Sequence, residues 1–222
     1  MPGGLFLAVD PWINWDWLST HVPHVLDALI EHVELTAVAI AIGLAISIPL
    51  GVLAHRRKPL RLLVLGFFGA FYTIPSLALF ALLIPFTHLG GTTAAIPLIG
   101  YNVLILVRNV LVGLDAVPRD VLDAADGMGY RSTARLFRVE IPLALPAIFA
   151  GLRVATVSTI GIVTITALIG MGGLGSLIDE GQIENFHTPL VVGTTLTVAL
   201  ALAADLAIAG AQRLAIPWAR PE

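Results

Sequence analysis

The stretch DAADGMGYRSTARLFRVEIP, residues 123–142, is the most polar part of a chain that is otherwise apolar along most of its length. The segment from Pro118 supplies acidic residues early and ends at Gly127 or Gly129, a pattern typical of a short helix with a glycine C-cap. The residues after the glycines predict a second short helix, with Ser132 as its N-cap and Pro142 as its end. The pattern therefore indicates two short helices joined by a sharp turn.

The second of these helices is expected to be amphipathic. Its polar face would carry arginines and its other face would offer apolar side chains for burial. The arginines are Arg131, Arg135 and Arg138, and the apolar residues are Leu136, Phe137 and Val139.

The composition around this stretch is that of an integral membrane protein. Of the 222 residues, 57% are hydrophobic and only 12% are charged, far outside the range of a soluble domain. The net charge of -3 favours no nucleic-acid partner, and the absence of cysteine excludes a disulfide framework and a thiolate metal site. The sequence predicts an all-α membrane protein, and residues 1–222 are expected to form a single transmembrane domain.

Five apolar stretches are long enough to cross a bilayer core, which needs ~20 residues. They are residues 33–54, 60–85, 94–114, 147–168 and 190–214. An odd number of spans places the two termini on opposite sides of the membrane.

The positions of the Lys and Arg residues predict which side of the membrane is cytoplasmic. All 12 lysines and arginines flank or lie towards one end of the spans, and the segments 1–32, 86–93 and 169–189 contain none. Because cytoplasmic flanks collect Lys and Arg, residues 1–32 are predicted to be external, and residues 115–146 and the C-terminus to be cytoplasmic.

Two patterns within the spans predict helix contacts. Ala39, Gly43, Ser47 and Gly51 form a small-residue stripe that allows close helix packing. Asp205 is predicted to pair with Arg153 or Arg108, because a lone charge is costly at that depth. Snorkelling of the arginines to the headgroups is the alternative.

The loop resembles that of the permease subunits of bacterial ABC importers, which reads Glu-Ala-Ala, three residues, Gly, nine residues, Ile-x-Leu-Pro. This chain has Asp123-Ala124-Ala125, Gly129 and Val139-Glu140-Ile141-Pro142 at the same spacing. The resemblance implies the type I importer fold and a coupling loop that docks on a separate ATP-hydrolysing subunit. The coupling residues it implies are Asp123, Ala124, Ala125, Gly129, Arg131, Arg135 and Pro142.

The resemblance extends over nearly the whole chain. Within the family, the chain is similar to the quaternary-amine branch, whose members import glycine betaine and choline. TIPSLALFALLIP (residues 73–85) and ALIGMGGLG (residues 167–175) are among the segments that carry it. Candidate path or gate residues are Tyr72, Pro75, Ser76, Gly172 and Gly173. A methionine-type permease remains an alternative, because such permeases look similar around the glycine-rich segment.

The resemblance also implies the partners: an ATP-binding subunit, a second permease subunit that is a copy or a paralogue, an external substrate-binding protein and membrane lipid. The chain lacks a P-loop, since its only lysine, Lys58, has no preceding glycine, so ATP and Mg²⁺ would belong to the partner ATPase. An ion-coupled carrier and an intramembrane enzyme are the competing classes. The sequence offers few intramembrane acids for the first and no hydrolase or zinc motif for the second.

Overall fold

The computed structural model describes residues 12–219, and every regular element among them is helical. In chain order the α-helices are α1 Trp15–Thr20, α2 Val22–Arg56, α3 Lys58–Thr73, α4 Ser76–Thr87, α5 Gly91–Asp115, α6 Arg119–Gly127, α7 Ser132–Arg135, α8 Ile141–Val163, α9 Leu174–Ile183 and α10 His187–Ala215. A π-helical turn, Leu136–Glu140, joins α7 to α8, and 3₁₀ segments follow α8 and α10 at Thr164–Ile169 and Pro217–Ala219.

Four helical stretches are long and apolar enough to cross a membrane: α2, α5, the continuous stretch Ser132–Ile169, and α10. The pair α3 and α4 would be the fifth span, but it is bent by 96° at the break between the two helices. The span expected at residues 60–85 is therefore present only as two helices, with a break at Ile74 and Pro75. The first span is also longer than expected, since α2 begins at Val22 rather than at residue 33.

Helix α5 is the centre of the packing and contacts α2, α8, α3 and α4. The small-residue stripe of α2 is buried, and it lets the two backbones approach closely. A Cβ atom at Gly51 would lie 2.6 Å from Cγ1 of Val110, and one at Gly43 would lie 3.0 Å from Cβ of Asn102. The α2–α5 contact thus depends on residues without bulky side chains, as membrane helix packing generally does.

The polar stretch that follows α5 differs from the sequence prediction first at Pro142. Pro142 does not end the second short helix, because the helix runs on through the π-turn into α8. Proline has no backbone N–H, so the regular hydrogen bond to the carbonyl four residues earlier is lost. The N–H of Ile141 donates instead to the carbonyl oxygen of Leu136, five residues back, which is the π-helical pattern.

The expected caps and burial of this second helix are also partly wrong. Arg131 occupies the N-cap position, and Ser132 is already the first helical residue. Leu136 is buried as expected, but Phe137 is 63% exposed. With α7 continuous with α8, this segment is an extension of a membrane span rather than a separate surface helix.

Candidate functional site

Helix α6 ends in a turn that requires glycine. The N–H of Gly129 donates to the carbonyl oxygen of Asp126 at 2.9 Å, and the N–H of Tyr130 donates to that of Ala125 at 3.1 Å. These two bonds form a Schellman motif, in which the residue after the helix takes a left-handed conformation. Gly129 has a φ of +80°, so it fixes the sharp turn that the sequence predicted.

The predicted coupling residues on this turn divide into an exposed and a buried group. Asp123, Ala124, Gly129 and Arg131 are exposed, whereas Ala125 packs inward and is buried. Met128, at the tip of the turn, is 71% exposed. Met128 is therefore the one large apolar side chain that is exposed on the turn at residues 123–131.

Arg135 does not belong to the free basic face that the sequence predicted. Its Nε donates to Oε1 of Glu140 at 2.9 Å, and its Nη1 contacts Oδ2 of Asp126. Glu140 is buried, so its carboxylate needs a charged partner of this kind. Arg135 therefore ties the end of α6 to the π-turn, and its role is to hold the loop together from within.

The structure brings Asp205 together with Arg153 and not with Arg108. The Nε and Nη2 atoms of Arg153 donate to Oδ1 and Oδ2 of Asp205, both at 2.7 Å, in a bidentate pair. Arg108 is exposed on α5 and makes no ion pair among residues 12–219, because α10 packs against α8 and α9 rather than α5. The pair thus ties α8, which leaves the coupling loop, to α10.

The predicted path residues Tyr72, Pro75 and Ser76 meet at the break between α3 and α4. Because Pro75 lacks an N–H, the α-helical bond to the carbonyl of Phe71 is lost, and Ile74 N–H donates to that carbonyl at 3.2 Å. The hydroxyl of Tyr101 donates to the carbonyl oxygen of Ile74 at 2.6 Å. A cavity of about 210 Å³ opens beside the break.

Gly172 and Gly173 lie elsewhere, in a glycine-rich segment between α8 and α9. The carboxylate of Glu31 accepts hydrogen bonds from both of their backbone N–H groups, at 2.9 Å to Gly172 and 3.1 Å to Gly173. Gly173 has a φ of +73°, which favours glycine at that position. These two glycines are therefore fixed to α2 and do not line the cavity at the broken span.

Comparison with known proteins agrees with this architecture. Residues 35–214 match the family model described as the binding-protein-dependent transport system inner membrane component. The chain belongs to this family. It is therefore the permease of an ABC importer, a multi-pass protein of the inner membrane.

Several curated relatives match over most of the permease. The osmoprotectant import permease protein OsmW of Salmonella typhimurium is 40% identical over 180 residues, which cover 79% of this chain and 84% of that protein. The glycine betaine/carnitine/choline permease OpuCB of Bacillus subtilis is 34% identical over 203 residues, or 90% of this chain and 93% of the relative.

Among solved structures, an inward-facing form of the MetNI methionine ABC transporter matches with a TM-score of 0.79 at 23% identity. The match covers 86% of this chain and 95% of that one. An amino acid ABC transporter with histidines matches with a TM-score of 0.67 at 19% identity, over 92% of this chain and 98% of the other. At these identities the likeness shows that the permease has the fold of the type I ABC importers.

Sequence reasoning missed two groups of residues in the permease. At the end of α5 that leads into the predicted coupling loop, Asp115 contacts both His55 Nδ1 at 2.8 Å and Arg61 Nη1 at 2.6 Å, so it joins α2 and α3 to the start of the loop. At the opposite end, His32 accepts from the N–H of Leu174 at 3.2 Å and donates to the carbonyl of Ile160 at 3.0 Å. The contacts of His32 span more than a hundred residues, and nothing local in the sequence signals them.

Proposed function

We propose that the permease forms the membrane path by which a quaternary-amine osmoprotectant, of the class of glycine betaine and choline, is imported at the expense of ATP hydrolysed by a separate subunit. The relatives of known transport class support this proposal, because they are osmoprotectant or betaine, carnitine and choline permeases. The likeness to a methionine transporter, at 23% identity, supports the fold and not the substrate.

The observation that carries the coupling role is the exposed turn at residues 123–131. Its backbone is fixed by the Schellman motif at Gly129. Arg135 stabilises the turn through its ion pairs with Asp126 and Glu140. A turn held by these hydrogen bonds, with the apolar side chain of Met128 exposed at its tip, suits insertion into a cleft on a partner protein. Since α7 is continuous with α8, a displacement of the turn would be passed directly to a membrane span.

The broken span supports a polar path. Irregular backbone at membrane depth is tolerated only where it is buried in protein or lines a water-filled cavity. Tyr72 and Leu77, on either side of the break, are both exposed, so the break is not enclosed by this chain. We place the path along this side of the molecule.

The ion pair supports a second permease subunit, either a copy of this chain or a paralogue. Arg153 and Asp205 remain partly exposed, beside a cavity of about 400 Å³ between α8 and α10. A charged pair open to its surroundings at membrane depth is costly against lipid, and it favours water or protein on that face. A partner subunit that encloses the cavity would meet this requirement.

The function is tested by reconstitution. The permease, its ATPase and its external binding protein are placed in proteoliposomes, and uptake of radiolabelled glycine betaine and choline is followed with ATP, with ADP and with a proton or sodium gradient alone. Uptake that requires ATP and the binding protein is expected. Uptake driven by an ion gradient alone would support a carrier instead, and import of methionine but not betaine would change the substrate class.

A further inference from the structure

The geometry points to a binding site for a trimethylammonium zwitterion within the permease itself, formed by Tyr72 and Tyr101 at the break between α3 and α4. The inference rests on the proposed substrate class and adds a residue-level site on the membrane subunit. The site would hold the solute in transit, after its release by the binding protein.

The aromatic rings at the break are held in a fixed arrangement. The ring centroids of Tyr72 and Tyr101 are 5.3 Å apart with the planes at 77°, and Phe71 lies edge-on to Tyr101 at 5.7 Å. The bond from the hydroxyl of Tyr101 to the carbonyl of Ile74 fixes the orientation of the second ring. Gly100 allows this packing, because a Cβ atom there would lie 2.3 Å from the ring of Phe71.

Tyr72 is the ring that remains available to a ligand. It is 44% exposed, and its hydroxyl has no hydrogen-bond partner among the residues that the structure describes. A quaternary ammonium group binds favourably over the face of such a ring, because the π-electron quadrupole attracts the cation. The buried Tyr101 forms part of the cavity wall behind it.

The residues that line the cavity favour a ligand with no net charge. The cavity of about 210 Å³ is lined by Tyr72, Thr73, Ile74, Pro75, Ser76, Tyr101 and Ile162. None of these is acidic, so a solute with only a positive charge, such as choline, would be held by the cation–π contact alone. A zwitterion brings its own carboxylate, to which the hydroxyls of Ser76 and Tyr72 can donate hydrogen bonds.

The depth of the cavity agrees with a transit site. Tyr101 lies ten residues from the start of α5 at Gly91 and 14 residues from its end at Asp115. At ~1.5 Å per residue these separations are roughly 15 and 21 Å, so the cavity lies inside the bilayer and away from both surfaces. A solute there would lie part-way along the path between the two membrane surfaces.

The test is direct binding to the complex of permease and ATPase in nanodiscs, without the binding protein. Radiolabelled glycine betaine is the probe, and tetramethylammonium, which has the cation alone, is the competitor. The variants are Tyr72→Phe, which keeps the ring, and Tyr72→Leu, which removes it. Phe67→Leu is the matched control, because it removes an exposed aromatic ring from the same helix but does not line the cavity.

Phe67→Leu is expected to retain the wild-type affinity. Tyr72→Phe keeps the ring but loses one hydrogen bond to the carboxylate, so it should weaken betaine binding as Ser76→Ala does and leave competition by tetramethylammonium unchanged. Tyr72→Leu should weaken betaine binding further, by roughly 5- to 30-fold for the loss of the cation–π contact, and should also abolish competition by tetramethylammonium. Ser76→Ala should weaken betaine but leave competition by tetramethylammonium unchanged. Monodisperse elution and a wild-type melting temperature report that each variant is folded.

Two results would overturn the inference. One is equal betaine affinity of Tyr72→Leu and the wild type; the other is no betaine binding by a wild-type complex that imports betaine. Both leave the proposed function intact, because uptake is measured separately. If the wild-type complex instead imports an unrelated solute and no quaternary amine, the proposed function itself fails.

Discussion

The carboxylate of Glu31 occupies the space that a side chain at Gly172 would fill. A Cβ atom built on Gly172 would lie 2.1 Å from Oε2 of Glu31, and the same carboxylate caps the N–H groups of Gly172 and Gly173. Helix α9 begins directly after these glycines, so Glu31 satisfies backbone donors that precede its first turn. Glu31 and Gly172 therefore act as one contact that fastens α2 to the segment before α9.

Substitutions at this contact should be non-additive. Gly172→Ala is expected to displace the carboxylate, and Glu31→Ala to leave the N–H groups without their acceptor, each lowering the melting temperature by a few degrees. The double variant should be no less stable than Glu31→Ala alone, because both changes remove the same contact. Melting temperatures in detergent measure this.

Gly161→Ala is the control, since a Cβ atom there meets nothing within 4 Å. It should leave the melting temperature close to that of the wild type. If the losses from Gly172→Ala and Glu31→Ala simply add, the two residues are not one contact.

The orientation of the permease can be measured cleanly because the native chain has no cysteine. Thr92, Gln182 and Ser132 are all exposed, and each can be replaced by cysteine. Thr92→Cys and Gln182→Cys should react in intact cells with a membrane-impermeant maleimide, whereas Ser132→Cys should react only after permeabilisation, because the arginine-rich side is predicted to be cytoplasmic. Labelling of Ser132→Cys alone in intact cells would invert the topology.

The coupling turn offers a paired test of two glycines two residues apart. Gly129 has a φ of +80°, which a β-branched residue strongly disfavours, so Gly129→Val should distort the turn and cost about 1–2 kcal/mol locally. We expect the protein to insert normally, the ATPase to remain active, and uptake per ATP hydrolysed to fall several-fold.

Gly127→Ala is the matched control for this variant. Gly127 lies in α6 without a positive φ, and a Cβ atom there meets nothing within 4 Å. Uptake and ATP hydrolysis should remain coupled in Gly127→Ala. Normal coupling in Gly129→Val as well would show that the loop has no docking role.

The sequence predicts the elements of this fold that depend on local pattern. The apolar stretches, the small-residue stripe of α2 and the glycine turn at Gly129 all follow from spacing and residue type. The break of the second span does not, because a proline inside an apolar run is compatible with a kinked helix as well as a broken one. The position of Pro142 does not follow from the sequence for the same reason: a proline fits the start of α8 as readily as the end of a preceding helix.

Long-range polar contacts are the other part that sequence could not supply. Glu31 and His32 look like residues of an external flank, and only the fold brings them to Gly172–Leu174, about 140 residues away. The contacts of Arg135 are also hidden in the sequence. An arginine on a predicted amphipathic helix is expected to be exposed, and only the fold shows that Asp126 and Glu140 lie beside it. The ion-pair partner of Asp205 is easier to predict from sequence, because only a few arginines lie at a similar depth in the membrane.

The pair of Arg153 and Asp205 allows a charge-reversal test of how α8 is held to α10. Asp205 lies ten residues before the end of α10, ~15 Å along the helix, so an unpaired charge there is unfavourable. Asp205→Arg should place two arginines together and lower uptake in proteoliposomes roughly tenfold or more. The double variant Asp205→Arg with Arg153→Asp should recover part of that uptake, because it restores opposite charges in the same place.

Asp205→Arg with Arg108→Asp is the matched control and should recover nothing, since Arg108 is on α5 and does not contact α10. Equal recovery by both double variants would show that net charge matters and the contact does not, and no recovery by either would show that the geometry of this pair cannot be reversed or that it does not hold the two helices together during transport.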